Sequence, residues 1–228
     1  MSHFKAPATC ESRVVGIPAD EVTLPGELVL PTRATAVILF AHGSGSSRMS
    51  PRNQYVARTM HHAGIATLLF DLLTSVEDRE YERRFDIERL TERLLAATDW
   101  VGRERSTADL PVGYFGASTG AAAALAAAAR LGPRIRAVVS RGGRPDLAGA
   151  RVLPGVRAAT LLIVGARDPV VLELNRYALA KLQCEKALQV IPGATHLFEE
   201  PGTLEQVAVQ ARNWFRRWLV GATAGHPA

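Results

Sequence analysis

Ser118 lies at the centre of the pentapeptide Gly-Ala-Ser-Thr-Gly. An apolar run at 111–115 precedes it and predicts a buried strand, and an alanine-rich run at 121–130 follows and predicts a helix. A strand–Gly-x-Ser-x-Gly–helix junction holds its serine on a tight turn, so that the hydroxyl projects from the sheet edge. The two glycines suit this turn because a side chain there would collide with neighbouring backbone. Ser118 is therefore a candidate nucleophile.

An acid and a histidine follow the serine, each just past a separate predicted strand. The strand at 159–164 leads to Asp168, and the strand at 187–191 leads to His196. The carboxyl ends of parallel strands share one edge of a sheet, so the three residues can converge there. A serine hydroxyl needs a base to remove its proton, which indicates His196 as the base and Asp168 as the group that orients it.

Alternatives exist for both partners of the serine. His196 could be an ordinary histidine in a surface loop. Asp168 could be an ordinary turn residue, because it precedes a proline and Asp-Pro is common in turns. Asp71 and Asp146 compete for the role of the acid. Asp71 ends a strand that precedes the serine and would need another chain order, so the order serine, acid, histidine favours Asp168.

Negative charge that builds on a substrate carbonyl oxygen requires N–H donors already in place. The amide of Thr119, at the start of the predicted helix, is one expected donor. The second is expected from the glycine-rich loop that follows the strand at 35–40, where Ser44 is favoured and Gly43 and Gly45 are alternatives. A phosphate-binding loop is the competing interpretation, but the Gly-x-x-x-x-Gly-Lys pattern is absent.

Five basic side chains are candidates for contact with a substrate. His42, Arg48 and Arg52 belong to the glycine-rich loop or follow it, and Arg141 and Arg144 follow a later predicted strand. An arginine at the sheet edge could bind a carboxylate or phosphate, which favours an anionic substrate, although most exposed arginines are only solvated. His42 has an alternative role as a hydrogen bonder within its own loop.

The alternation of strands and helices predicts one α/β domain at 13–221, with flexible ends at 1–12 and 222–228. Continuous apolar strands indicate a mostly parallel central sheet with helices on both faces. Two strand-like pieces within 14–30 predict an antiparallel edge. The charge-dense segment at 75–84 predicts an exposed loop or small lid and is too short for a bulky cap.

Composition favours a cytoplasmic enzyme that handles a small molecule. The net charge of +5 is spread among acids with no basic block, which argues against nucleic acid, and no apolar run is long enough to cross a membrane. The N-terminus lacks the apolar region of a secretion signal. Cys10 and Cys184 have no metal or redox spacing, and no zinc pattern occurs, so we expect neither metal nor cofactor. Oligomeric state stays open.

Together, the loop at 42–45, the elbow at Ser118, Asp168 at a strand end and the turn at His196 resemble the α/β-hydrolase fold, and within it the compact dienelactone-hydrolase-like group, which has little or no cap. The resemblance covers roughly residues 20–220. Dienelactone hydrolases proper carry cysteine at the elbow, so the serine favours an esterase or related acyl hydrolase.

The resemblance implies that a small carboxylic ester, thioester or lactone is hydrolysed through an acyl-enzyme on Ser118, without a cofactor. The amides of Thr119 and Ser44 would hold the oxyanion. A non-catalytic accessory or binding protein that retains the fold is the alternative.

Overall fold

Strands and helices alternate along residues 9–221, the part of the chain that this computed structural model describes. The strands are β1 (Cys10–Ala19), β2 (Val22–Pro31), β3 (Val37–Ala41), β4 (Ala66–Phe70), β5 (Val112–Ala117), β6 (Ile135–Arg141), β7 (Ala159–Gly165) and β8 (Lys186–Ile191). The α-helices are α1 (Pro51–His62), α2 (Ile87–Arg103), α3 (Thr119–Leu131), α4 (Pro169–Lys181) and α5 (Thr203–Phe215). A π-helical turn at Arg216–Val220 extends α5.

The eight strands form one sheet in the order β1-β2-β4-β3-β5-β6-β7-β8. The β1–β2 and β2–β4 pairs are antiparallel, and the other pairs are parallel. The predicted antiparallel edge within 14–30 is therefore present as the β1–β2 hairpin. β1 begins earlier than expected because Cys10 already pairs with Pro31, so residues 10–12 belong to the sheet. Of the ends predicted to be flexible, residues 1–8 and 222–228 lie outside the described chain.

Helices cover both faces of the sheet, as the continuous apolar strands predict. One face packs against α2, α3 and α4, and we call it the α2/α3 face. The opposite face packs against α1 and α5, and we call it the α1/α5 face. The alanines of α3 are buried, and their small side chains let this helix lie close to the sheet. Within residues 9–221, no helix has the length and apolar character needed to cross a bilayer.

The segment at 75–84 is more ordered than an exposed loop, which corrects part of the prediction. It folds into two short 3-10 turns between β4 and α2. Glu77 is buried, and its carboxylate contacts Arg89 at 2.9 Å and Arg93 at 3.1 Å. Thr74 and Glu77 also exchange hydrogen bonds of 2.8 and 3.2 Å, the reciprocal pattern of a capping box. These contacts fasten the segment to α2.

Candidate active site

The turn that carries Ser118 is strained and held from both sides. Ser118 lies between β5 and α3 with φ 50° and ψ −122°, a left-handed φ that is costly for a residue with a side chain. Its N–H donates to the carbonyl of Arg141 at 3.3 Å, and its carbonyl accepts from the N–H of Arg144 at 3.1 Å. The predicted elbow is therefore present, and its neighbours fix its conformation.

Close backbone approach brings the loop after β3 against this turn. A Cβ atom on Gly120 would lie 2.2 Å from the carbonyl oxygen of Ala41, a distance that no real side chain tolerates. A Cβ atom on Gly43 would lie 2.9 Å from the Cβ atom of Ser118. The glycines therefore let the glycine-rich loop touch both the serine and the first turn of α3.

Asp168 and His196 are in contact where β7 and β8 end. His196 Nδ1 lies 2.7 Å from Asp168 Oδ2, and the carboxylate is the more buried of the two groups. A carboxylate on Nδ1 fixes the tautomer that leaves Nε2 able to accept a proton. The structure thus brings together the acid and the histidine that the sequence predicts.

His196 also borders the segment that holds the serine turn. A Cβ atom on Gly142 would lie 3.0 Å from the carbonyl oxygen of His196, and Gly142 directly follows Arg141, which binds the N–H of Ser118. Within residues 9–221, no hydrogen bond joins Ser118 Oγ to His196. Such bonds are often long in enzymes without substrate and tighten when it binds.

The two competing acids are engaged by two of the candidate substrate-binding arginines. Asp71 accepts the N–H of Arg48 at 2.7 Å and also pairs with its guanidinium. Asp146 receives two hydrogen bonds from Arg144, at 2.9 and 2.7 Å. Asp168 is left as the acid in contact with the histidine. The charges of Arg48 and Arg144 are already compensated within the fold, and contact of either arginine with a substrate stays a prediction.

Both ring nitrogens of His42 form hydrogen bonds with backbone groups of the protein. Its Nε2 accepts the N–H of Leu72 at 2.9 Å, so its Nδ1 carries the proton and donates to the carbonyl of Gly43 at 3.0 Å. Burial lowers the pKa of this histidine, which keeps the ring neutral. The alternative role predicted for His42, a hydrogen bonder within its loop, is the one that these contacts support.

Arg52 and Arg141 have different surroundings from the other two arginines. Arg52 lies in the first turn of α1 and contacts Glu199 at 3.0 Å, with both side chains partly exposed. Arg141 is only 8% exposed, and its Nε and Nη1 atoms have no hydrogen-bond partner within residues 9–221. Its guanidinium carbon lies 6.0 Å from the centre of the Phe198 ring.

A small cavity of about 10 Å³ adjoins the serine turn on the α2/α3 face. Ser44 and Thr119, the two predicted oxyanion donors, both line it, together with Gly43. Neither the Ser44 N–H nor the Thr119 N–H has an acceptor within the described chain. The cavity is completed by side chains that sequence analysis did not select, namely Leu73, Asp78, Arg84 and Leu90.

The residues missed by sequence analysis belong largely to the segment that follows β4. Arg84 hydrogen-bonds Asp78 through the carbonyl oxygen at 2.7 Å and forms an ion pair with its carboxylate at 3.1 Å. The capping-box sequence from Thr74 to Glu77 is the signal that could have indicated an ordered turn here. Within residues 9–221, no group of three or more His, Cys, Asp or Glu side chains is placed to hold a metal ion.

Two curated relatives come from Mycobacterium tuberculosis, strains H37Rv and CDC 1551, and bear the provisional name phosphoribosyl transferase. Each is 58% identical to this chain over 207 residues, which are 91% of this chain and 46% of the relative. The chain therefore spans about half the length of these relatives.

Solved structures and a family model match most of the chain. The crystal structure of a dienelactone hydrolase from Anabaena variabilis is 54% identical, with a TM-score of 0.89, over 92% of this chain and 99% of that one. An esterase from Pyrococcus furiosus shares the fold at 17% identity, with a TM-score of 0.74, over 92% and 93% of the two chains. Residues 34–213 match the model of the alpha/beta hydrolase domain. The chain therefore belongs to the α/β-hydrolase family and has the dienelactone-hydrolase-like form of its fold.

Proposed function

We propose that this chain is a serine hydrolase that acts on a small carboxylic ester, thioester or lactone, with Ser118 as nucleophile, His196 as base and Asp168 as its orienting acid. The contact of 2.7 Å between Asp168 and His196, beside the strained serine turn, carries the proposal. Strain of this kind is expected where it serves a mechanism. It therefore favours catalysis over the alternative, a binding or accessory protein that retains the fold.

The reaction proceeds by acyl transfer. Ser118 Oγ attacks the substrate carbonyl carbon while His196 Nε2 accepts the hydroxyl proton, and Asp168 stabilises the resulting imidazolium. The carbonyl oxygen becomes negative and is bound by the N–H groups of Thr119 and Ser44, with those of Gly43 and Gly45 as alternatives to the latter. The bond to the leaving group then breaks, and the histidine returns the proton to that group.

Water completes the cycle in the same way. His196 removes a proton from water, the hydroxide attacks the acyl carbon, and the proton returns to Ser118 as the acid product leaves. Every group in these steps is a side chain or N–H of this chain, so the reaction as proposed uses no cofactor.

The names of the relatives bear on this proposal to different degrees. The Anabaena protein, named a dienelactone hydrolase, matches over nearly its whole length. The name phosphoribosyl transferase belongs to proteins of which this chain spans 46%, so more than half of each has no counterpart here. The name of the Anabaena protein and the geometry at Ser118 both support the proposal that this chain hydrolyses an ester.

The test is turnover of a panel of para-nitrophenyl esters, acyl thioesters and lactones by the wild type and by Ser118→Ala. We expect the variant to lose at least about a thousandfold in kcat with an unchanged circular dichroism spectrum. Asp168→Asn should lose about 10³- to 10⁴-fold because the imidazole tautomer is no longer fixed. Asp146→Asn is the matched control. Undiminished activity of Ser118→Ala, or no labelling of Ser118 by a fluorophosphonate, would refute the proposal.

A further inference from the structure

Thr119 carries a buried hydroxyl that has no hydrogen-bond partner within residues 9–221. The residue is the first of α3 and is only 2% exposed. Buried hydroxyls in folded proteins nearly always have a partner, because an unmade hydrogen bond in the interior is costly. A group that comes from outside the chain can supply the partner that Thr119 lacks.

A cavity distinguishes this hydroxyl from the other one that is buried and unpaired in the described chain. Thr119 lines the small cavity beside the serine turn, together with Gly43 and Ser44 of the glycine-rich loop. Ser140, the other case, is fully buried in β6, and a Cβ atom on Gly143 would lie 2.0 Å from its Oγ. Of the two hydroxyls, Thr119 is therefore the one that a substrate atom can approach.

The size and walls of the cavity select the group that can enter. Its volume of about 10 Å³ is close to that of one water-sized sphere, so it accepts a single oxygen atom rather than an alkyl chain. Leu73 and Leu90 are buried in its wall and offer no hydrogen bond. Arg84 and Asp78 complete the wall and bond each other, at 2.7 Å through the Asp78 carbonyl and 3.1 Å through its carboxylate.

The cavity adjoins the groups that the proposed reaction uses. Thr119 directly follows Ser118, and a Cβ atom on Gly43 would lie 2.9 Å from the Cβ atom of Ser118. Thr119 and Ser44, whose N–H groups are the proposed oxyanion donors, both line the cavity. The positive end of the α3 dipole lies here as well and favours negative charge. The carbonyl oxygen of an ester attacked by Ser118 is therefore the oxygen atom that suits this cavity.

We propose that the Thr119 hydroxyl donates a third hydrogen bond to the oxyanion, beside the N–H groups of Thr119 and Ser44. This inference rests on the proposed hydrolase function and adds a catalytic side chain to it. The hydroxyl hydrogen rotates about its C–O bond and can turn towards the oxygen that becomes negative. A charged oxygen accepts the bond more strongly than the neutral carbonyl of the ester, so the bond raises kcat rather than lowering KM.

The test is the turnover of para-nitrophenyl acetate by Thr119→Val, which removes the hydroxyl and keeps both the N–H and the branched shape of the side chain. We expect kcat to fall by about 10²-fold, the usual cost of one oxyanion donor, with KM changed by less than about twofold. Thr119→Ser keeps a hydroxyl and should retain most of the wild-type kcat. Wild-type kcat in Thr119→Val, or an equal loss in Thr119→Ser, would overturn the proposal.

Stability gives a readout that separates this role from a structural one. Removal of an unpaired buried hydroxyl in favour of a methyl group is neutral or stabilising, so the urea midpoint of Thr119→Val should equal or exceed that of the wild type. A midpoint well below the wild type would mean that the hydroxyl has a partner in the fold, against the proposal. Ser140→Ala is the matched control, because it removes the other unpaired buried hydroxyl and should keep the wild-type kcat.

Binding measured without turnover separates this inference from the proposed function. Ser118→Ala protein is titrated by calorimetry with acetate, the acid product, which can place one oxygen in the cavity. We expect saturable binding that the added Thr119→Val substitution weakens by about tenfold, because a hydrogen bond to a charged oxygen is lost. Such binding in a protein whose wild type lacks esterase activity would support the donor and refute the hydrolase. Hydrolysis that depends on Ser118 and not on Thr119 would do the reverse.

Discussion

Buried basic side chains are treated differently on the two faces of the sheet. On the α2/α3 face, the side chain of Arg93 is 5% exposed and contacts the buried carboxylate of Glu77 at 3.1 Å. On the α1/α5 face, Arg141 is also buried, with 8% of the residue exposed, and has no carboxylate partner within the described chain. His61 lies on that same face and contacts the hydroxyl of Thr67 at 2.7 Å instead of an acid.

The difference separates a buried cation that has a carboxylate partner in the fold from one that has none within residues 9–221. Arg93 is complete within the protein, because its charge and its hydrogen bonds are met by Glu77 and by the carbonyl of Ala19. His61 meets the lack of an acid by giving up its proton, since burial lowers its pKa to about 4. Arg141 has no carboxylate partner within the described chain, and its guanidinium cannot become neutral because it keeps its proton.

Removal of the buried Glu77 carboxylate on the α2/α3 face should give the largest loss in the free energy of unfolding. Glu77→Ala removes the buried carboxylate partner of Arg93 and leaves it only the exposed Asp20 at 3.8 Å. Loss of a buried ion-pair partner typically costs about 3 kcal/mol in the free energy of unfolding. Urea denaturation measures the loss. Glu80→Ala in the same segment removes an exposed carboxylate that pairs with Arg83, and it should leave the urea midpoint unchanged. Equal losses in the two variants would mean that Glu77 is no better integrated than a surface residue.

The elements of the fold are largely predictable because their signals are local. The apolar run at 159–164 corresponds to β7 at Ala159–Gly165, and the alanine-rich run at 121–130 corresponds to α3 at Thr119–Leu131. The contact between Asp168 and His196 also follows from the sequence, since parallel strands deliver their ends to one edge.

The partners of the arginines could not be predicted in this way. Arg48 and Arg52 are four residues apart and look alike in the sequence, yet one pairs with Asp71 and the other with Glu199, 147 positions away. Such pairings depend on which loops meet at the sheet edge, and no local pattern encodes that. Glu77 is the opposite case, because its capping-box spacing was a local signal within a segment that seemed merely charged.

A fall in pH should destabilise the protein through His61 on the α1/α5 face, because this histidine has no acid partner in the described chain. An unfolded histidine gains its proton near the ordinary pKa of 6.5, whereas the folded one gains it only near 4. Between these values the unfolded chain binds more protons, so stability falls as the pH falls, by about 2 kcal/mol at this half-buried position. Urea denaturation from pH 7 to pH 4.5 should show a shallower loss in His61→Gln than in the wild type. His62→Gln, one residue away and exposed, should follow the wild type.

Substitution of a buried arginine by methionine can be compared on the two faces. The expected change in the free energy of unfolding is small for Arg141, but its sign distinguishes the two arginines. Arg93→Met removes one of the two arginine partners of the buried Glu77 carboxylate, which keeps Arg89, and should destabilise the protein. Arg141→Met removes a buried charge that has no carboxylate partner within the described chain. Methionine retains much of the packing, so Arg141→Met should raise the free energy of unfolding by about 1 kcal/mol in a buffer without phosphate or carboxylate. Comparable destabilisation by both substitutions would mean that Arg141 is a structural cation like Arg93, and the contrast between the two faces would disappear.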